Sequence, residues 1–267
     1  MVRLLAQVML VVIVTVGMGV GGLAAAKRVR TGTWSIPVKE DYVWIERAVK
    51  PKATPRTVYL DRNRVTVTGG RDSAAVNQSQ LITWGTQRTL PGFTGSKRSW
   101  NRIVSCVKSK FTDFDVEITD QRPANAGYVS VHVGGEPRDL FGRDRRNMGG
   151  VAPYNGKVIH DGMGFVFSKT LRNRQTEICE SIAHEIGHIY GLDHSYRCGD
   201  LMTYIQGCKK RRFVDADVRC GEGGRRDCEN GEATQNSHDH LLGVLGPAKL
   251  PEDDAAQPKK STRVASR

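Results

Sequence analysis

From Arg56 onward the apolar positions fall into two rhythms, one of period two and one of period 3.6. Thr57–Leu60 and Arg64–Thr68 are β-branched runs parted by Asp61-Arg62-Asn63, which predicts a hairpin, and Gly69-Gly70 ends the second run. Between Ser99 and Lys110, Trp100, Ile103, Val104 and Val107 recur at helical spacing. Phe114–Thr119 alternates Phe114, Val116 and Ile118 with polar residues, a half-buried strand. Tyr128–Val133 reads as another strand, closed by Gly134-Gly135, and Phe165-Val166-Phe167 as a short third. A second helix is predicted from an N-cap at Asn173, with Ile178, Ile182, Ile186 and Ile189 as its buried stripe. Beyond Met202 the chain is rich in glycine and loop-like, until Ala233–Leu245 suggests a closing helix. Strands interleaved with helices give an α/β class.

The two ends break this pattern. Residues 1–26 carry Arg3, a nearly uncharged apolar run from Leu4 to Leu23, and the small residues Ala24-Ala25-Ala26. That is the build of a signal peptide, although the run is long enough to serve as an uncleaved membrane anchor. Residues 27–55 are basic and proline-containing with little periodicity, a linker or short pro-segment. Residues 56–246 form the predicted globular domain, and 247–267 a disordered polar tail. Export of the 267-residue chain, to the periplasm or outside the cell, places its six cysteines in an oxidising compartment. Three disulfides then follow, with fifteen pairings open.

The chemistry sits on the second helix. His184-Glu185-Ile186-Gly187-His188-Ile189-Tyr190-Gly191-Leu192-Asp193-His194 reads H-E-x-x-H-x-x-G-x-x-H. Histidines four apart leave a helix on one side and can meet one metal ion. Gly191 can stop the helix by taking positive φ, and the turn brings round His194. Three nitrogen ligands, His184, His188 and His194, leave one zinc position open, the catalytic arrangement. Glu185 is placed to work on a water at that position.

This stretch resembles the signature of the metzincin zinc endopeptidases, which a methionine turn completes. Met202 in Cys198-Gly199-Asp200-Leu201-Met202-Thr203-Tyr204 matches that turn. Ser195 and the short run to Met202 are similar to the matrixin branch, and the layout with Ala233–Ser237 resembles small secreted bacterial metallopeptidases. The resemblance implies a metzincin-like zinc protease domain, α/β (α+β), with a twisted mixed sheet, an active-site helix and a loop-rich lower half held by disulfides. It implies a secreted endopeptidase with one catalytic Zn2+, Glu185 as general base toward the zinc-bound water, and Met202 as an apolar floor. Calcium is possible on this scaffold, but no spacing here indicates it. Tyr204, two residues after Met202, is a candidate catalytic residue as an oxyanion donor, or else packs below the turn. The disulfides expected are Cys198–Cys208, Cys220–Cys228 and Cys106–Cys179.

A net charge of +12 rests partly on Arg143–Arg146, Lys209–Arg212 and Arg225-Arg226, read as a solvated basic surface. No nucleic-acid module is recognisable. The expected partner is a protein or peptide substrate, laid along an edge strand within residues 147–154, and the chain is expected to be monomeric. Once the signal is cleaved, no stable membrane anchor is expected. His132, His160, His238 and His240 are read as ordinary polar or surface residues. The competing function is a zinc-bearing binding or adhesion protein without catalysis. A retained Glu185 argues against it.

Overall fold

A computed structural model describes residues 53–249 save 144, 146 and 209. The signal peptide, residues 27–52 of the linker and residues 250–267 of the tail lie outside the described residues. In chain order the elements are β1 (Thr57–Asp61), β2 (Val65–Gly69), β3 (Gln78–Ser79), β4 (Gln87–Leu90) and α1 (Lys97–Lys110). There follow β5 (Glu117–Thr119), β6 (Val129–Val133), α2 (Pro137–Phe141), β7 (Gly150–Val151), β8 (Met163–Val166), α3 (Gln175–Ile189) and α4 (Ser237–Leu245). The architecture is mixed α/β.

β1 pairs in parallel with β5 on one edge and β6 on the other, and Val58, Tyr59, Leu60 and Asp61 are all buried. Both edges of β1 are therefore taken, so the predicted hairpin with the next strand does not form. β2 leaves for a separate three-stranded sheet of order β3-β2-β4. The turn itself is as read, with the Asp61 side chain accepting from the Asn63 backbone N–H at 2.9 Å. The main sheet runs β5-β1-β6-β8-β7, and only β7 is antiparallel to its neighbour.

Alternation along β8 shows how the two layers divide. Val166 faces the large core with Trp100, Ile103, Val107 and the α3 isoleucines, while Met163 and Phe165 face Val65, Val67, Leu90 and Leu140. One face of the sheet thus lies under α1 and α3, the other under the small sheet and α2. α1 starts where Ser96 accepts from the Ser99 N–H at 3.1 Å, and its predicted apolar stripe is buried. In α3, Ile178, Ile182, Ile186 and Ile189 are fully buried, each contributing roughly 1.5–3 kcal/mol. Its start differs from expectation. Asn173 sits in a left-handed turn at φ 53°, and Arg174 takes the cap position without a side-chain bond. Arg174 instead pairs with Glu177 at 2.7 Å, one turn into the helix.

All three expected disulfides are present, at Cα separations of 6.0, 5.3 and 5.0 Å for Cys106–Cys179, Cys198–Cys208 and Cys220–Cys228. Cys106–Cys179 ties α1 to α3. The other two staple the segment after Gly191, which has no long helix or strand until α4. There Asn236 caps the helix by accepting from the Asp239 N–H at 2.9 Å. Among the described residues no helix is long and apolar enough to cross a membrane.

Candidate metal centre

α3 sets His184 and His188 one turn apart, with ring centroids 4.6 Å from each other. Gly191 ends the helix at φ +94°, and a Cβ there would meet the Lys157 backbone at 3.1 Å. The Leu192 N–H bonds the Gly187 carbonyl and the Gly191 N–H the His188 carbonyl, both at 2.9 Å. This double closure is a Schellman motif, which satisfies the carbonyls of the last turn and reverses the chain. It carries His194 back, its ring centroid 4.6 Å from that of His188. The three histidines form a group able to hold one metal ion.

Which nitrogen faces the centre is set by what the other one does. His184 Nδ1 donates to the Leu201 carbonyl and His188 Nδ1 to the Leu192 carbonyl, each at 2.8 Å. His194 Nδ1 donates to Glu222 Oε1 at 2.6 Å. With Nδ1 carrying a proton, each ring turns Nε2 toward the centre, where a neutral ring offers a lone pair. The His188 Nε2 lies 3.0 Å from the Nε2 of both His184 and His194. Burial, then the neighbouring imidazoles, pushes the His184 ring well below its ordinary value, and burial and His194 bring His188 down to about 4. At neutral pH the His184 and His188 rings hold no extra proton, and their Nε2 atoms converge with that of His194. That arrangement suits a cation. Tetrahedral Zn–N bonds of about 2.0–2.1 Å would set two nitrogens about 3.3 Å apart, close to the spacing found.

Glu185 is buried beside the triad, and burial pushes its carboxyl well above the ordinary value. The carboxyl lies against Gly150 of β7, where an added Cβ would collide with Oε1. β7 is the outer strand of the sheet, inside the predicted stretch 147–154. Met202 is fully buried, and a Cβ on Gly187 would stand 2.5 Å from its sulfur. The glycine in the histidine motif therefore makes room for the methionine. Leu201, beside it, supplies the carbonyl that orients His184.

Tyr204 lies over the rings and not beneath them. It is half exposed, stacked on His184 at 5.6 Å and tilted on His194 at 4.3 Å. Burial, then the Glu185 and Glu222 charges, pushes its hydroxyl up to about 12, so it remains a proton-bearing donor.

Several participants escaped the sequence reading. Glu222 orients His194 and is in turn held by Arg226, whose Nη2 reaches Oε1 at 2.7 Å. Arg226 also grips the buried Asp193 at 2.6 and 2.8 Å. The hydrogen bond from Arg226, chiefly, holds the Glu222 carboxyl down at about 2. Arg226 is therefore no part of a merely solvated basic surface. An acid and a base inside the loop bridged by Cys220–Cys228, at a sequence separation of 8, were the available signal, since a short bridged loop gives its polar side chains a fixed place. Tyr154, at the end of the edge stretch, meets His188 edge-on at 5.5 Å.

The remaining histidines stand apart from the triad. His132 is fully buried in β6, not at the surface, and its Nε2 donates to the Pro91 carbonyl at 3.0 Å. His238 pairs with Asp113 at 3.3 Å, and His240 donates to the Tyr190 carbonyl at 2.8 Å.

No family model and no curated protein matches the chain. Among solved structures it is similar to the crystal structure of metalloproteinase-II from Bacteroides fragilis, at 13% identity and a TM-score of 0.27. The match covers 57% of this chain and 47% of that one, so it spans about half of the other's length. A likeness that distant says nothing about activity.

Proposed function

We propose that this protein is an exported zinc-dependent endopeptidase of the metzincin type. The observation that carries the reading is the convergence of three Nε2 atoms, that of His188 lying 3.0 Å from each of the other two, beside a buried carboxyl. His184, His188 and His194 would hold the ion. Zinc, when bound, would supply Lewis acidity toward a peptide carbonyl and toward a water molecule.

The chain's own groups would do the rest. Glu185 accepts the proton of the attacking water and returns it to the leaving amine. Burial favours this role, because a carboxyl pushed upward is a stronger base than an exposed one. Tyr204 donates its hydroxyl toward the oxygen that gains charge. β7 is the outer strand of the sheet among the described residues, onto which an extended peptide can add as a further strand, and Gly150 brings that edge against the Glu185 carboxyl. Three disulfides suit an oxidising compartment, in keeping with export.

The test is digestion of a mixed peptide library by the purified, oxidised protein, with and without a zinc chelator. Internal cuts that vanish with chelator and return with added zinc are expected. An intact library in the zinc-loaded sample would refute the reading.

A further inference from the structure

The basic run 209–212 reads in the sequence as solvated surface, yet the Arg211 side chain is only 17% exposed. Its guanidinium brackets one residue of the candidate site. Nη1 donates to the Thr203 carbonyl at 3.4 Å and Nη2 to the Ile205 carbonyl at 2.9 Å, the residues on either side of Tyr204. A planar fork holds two acceptors at a set spacing, and a charged donor bonds a carbonyl more strongly than a neutral one. On its other side, Nε faces Glu180 Oε2 at 3.8 Å, an ion pair and not a hydrogen bond. Glu180 lies on α3 one turn before His184. The guanidinium thus stands between the helix that carries two of the histidines and the stretch that carries Tyr204.

This arm starts from a fixed base. The Arg211 carbonyl accepts from Lys110 Nζ, at the end of α1, at 2.6 Å. The next residue, Arg212, donates its N–H to the Gly199 carbonyl at 3.0 Å and accepts from the Leu201 N–H at 2.8 Å. Leu201 is the residue whose carbonyl aims His184. Cys198–Cys208 closes the loop that holds Tyr204.

Tyr204 itself stands on a stretch with short-range ties. Among the described residues, the other hydrogen bonds of 203–206 are local. The Ile205 N–H donates to Thr203 Oγ1, the Gln206 side chain to the Tyr204 carbonyl, and the Thr203 N–H to the Asp200 carbonyl. Yet the half-exposed Tyr204 keeps its ring on both His184 and His194. Holding a half-exposed side chain in one place costs conformational entropy, which tight anchoring of its backbone reduces. A donor to a developing charge must also be held closely, since a misplacement of about 1 Å can cost on the order of 100-fold in rate.

We propose that Arg211 is a positioning residue that sets Tyr204 over the three imidazoles. It rests on the endopeptidase reading for what the Tyr204 hydroxyl does, whereas the placement of the ring is independent of any activity. Lysine at 211 would keep the charge but lose the fork, so Arg211→Lys should fail to replace it.

Two readouts keep the ring's placement apart from the reaction. The first is the NMR shift of the His184 and His194 ring protons in the oxidised protein with zinc added. Tyr204→Leu defines the part of each shift that the tyrosine ring supplies, and Arg211→Lys should lose most of that part. The second is a kinetic cycle on one peptide. Arg211→Lys should lower kcat by about tenfold to a hundredfold with KM little changed, and should lower it no further in a Tyr204→Phe background. Should Arg211→Lys fail to fold, Glu180→Gln frees the guanidinium at its α3 end and should move both signals the same way by less.

Histidine shifts that follow Arg211 in a protein that cuts nothing would keep the positioning role and sink the peptidase. An equal fall in kcat with and without the Tyr204 hydroxyl would overturn the positioning role and leave the peptidase standing. Histidine shifts unchanged in Arg211→Lys, or in Glu180→Gln where that variant stands in for it, would overturn the positioning role whatever the activity.

Discussion

The two sides of the candidate metal centre are built by different means. On the helix side, His184 and His188 are aimed by main-chain carbonyls of Leu201 and Leu192. Those carbonyls move only if the backbone moves, so the orientation comes with the fold. On the loop side, His194 is aimed by Glu222, which depends on Arg226, which depends on Asp193. That is a relay of side chains in a segment with few backbone ladders, held by a bridged loop. The helix side is hard to adjust and hard to break. On the loop side, one substitution can loosen the aim of His194 without touching any of the three histidines.

The largest effect should come from the helix side and leave the metal in place. Glu185→Gln removes the proton acceptor and should cut hydrolysis by roughly 10³-fold or more, with zinc content unchanged by metal analysis. Near-parent turnover would show that Glu185 is not the base.

Removing disulfides contrasts stability with affinity. Cys106→Ala with Cys179→Ala opens a bridge of separation 73 and should cost about 4 kcal/mol, against about 2–3 kcal/mol for Cys220→Ala with Cys228→Ala at separation 8. Only the second pair frees the loop that holds Glu222, so only it should weaken zinc binding in the folded protein. Equal zinc affinity in both variants, measured by competition with a chelator, would break the comparison.

Tyr204 spans the two sides, since its ring contacts both His184 and His194. Tyr204→Phe keeps that contact and removes the donor, so kcat should fall by about a hundredfold with KM little changed. An unchanged kcat would leave it a packing residue. A smaller effect is expected at Glu222. Glu222→Gln keeps a hydrogen-bond acceptor but loses the charge, and should weaken zinc binding by roughly 10–100-fold while the fold persists.

The smallest effect is in pH. The Glu222 carboxyl falls from an ordinary 4.5 to about 2 in the folded chain, first through Arg226 and further through His194. A depressed carboxyl stabilises the fold fully above its unfolded value and loses that contribution as pH falls through the folded one. In metal-free protein, the Tm gap between parent and Glu222→Gln should be flat from pH 7 to about 4.5 and close by about pH 2. A gap that widens on acidification would contradict the sign.

Legibility in the sequence followed the same division. The α1 and α3 stripes and the strands at β6 and β8 could be read from periodicity, because each buries one face or both against a neighbour along its whole length. The clustering of His184, His188 and His194 could be read because helical spacing and one glycine turn are local matters. The hairpin between β1 and β2 was misread for the opposite reason. Whether two adjacent strands pair depends on whether an edge is free, and β5 and β6, more than fifty residues away, occupy both edges of β1.

The sequence by itself determined the class of fold, the three histidines with their carboxyl neighbour, and the glycine that turns the chain between them. It did so because those features rest on contacts a few residues apart. Only the tertiary structure decided that Glu222 and Arg226 stand behind His194 and that Tyr204 lies over the rings. These groups are far apart or loosely patterned along the chain. Side-chain polarity alone does not say which partner a folded loop will bring within 3 Å.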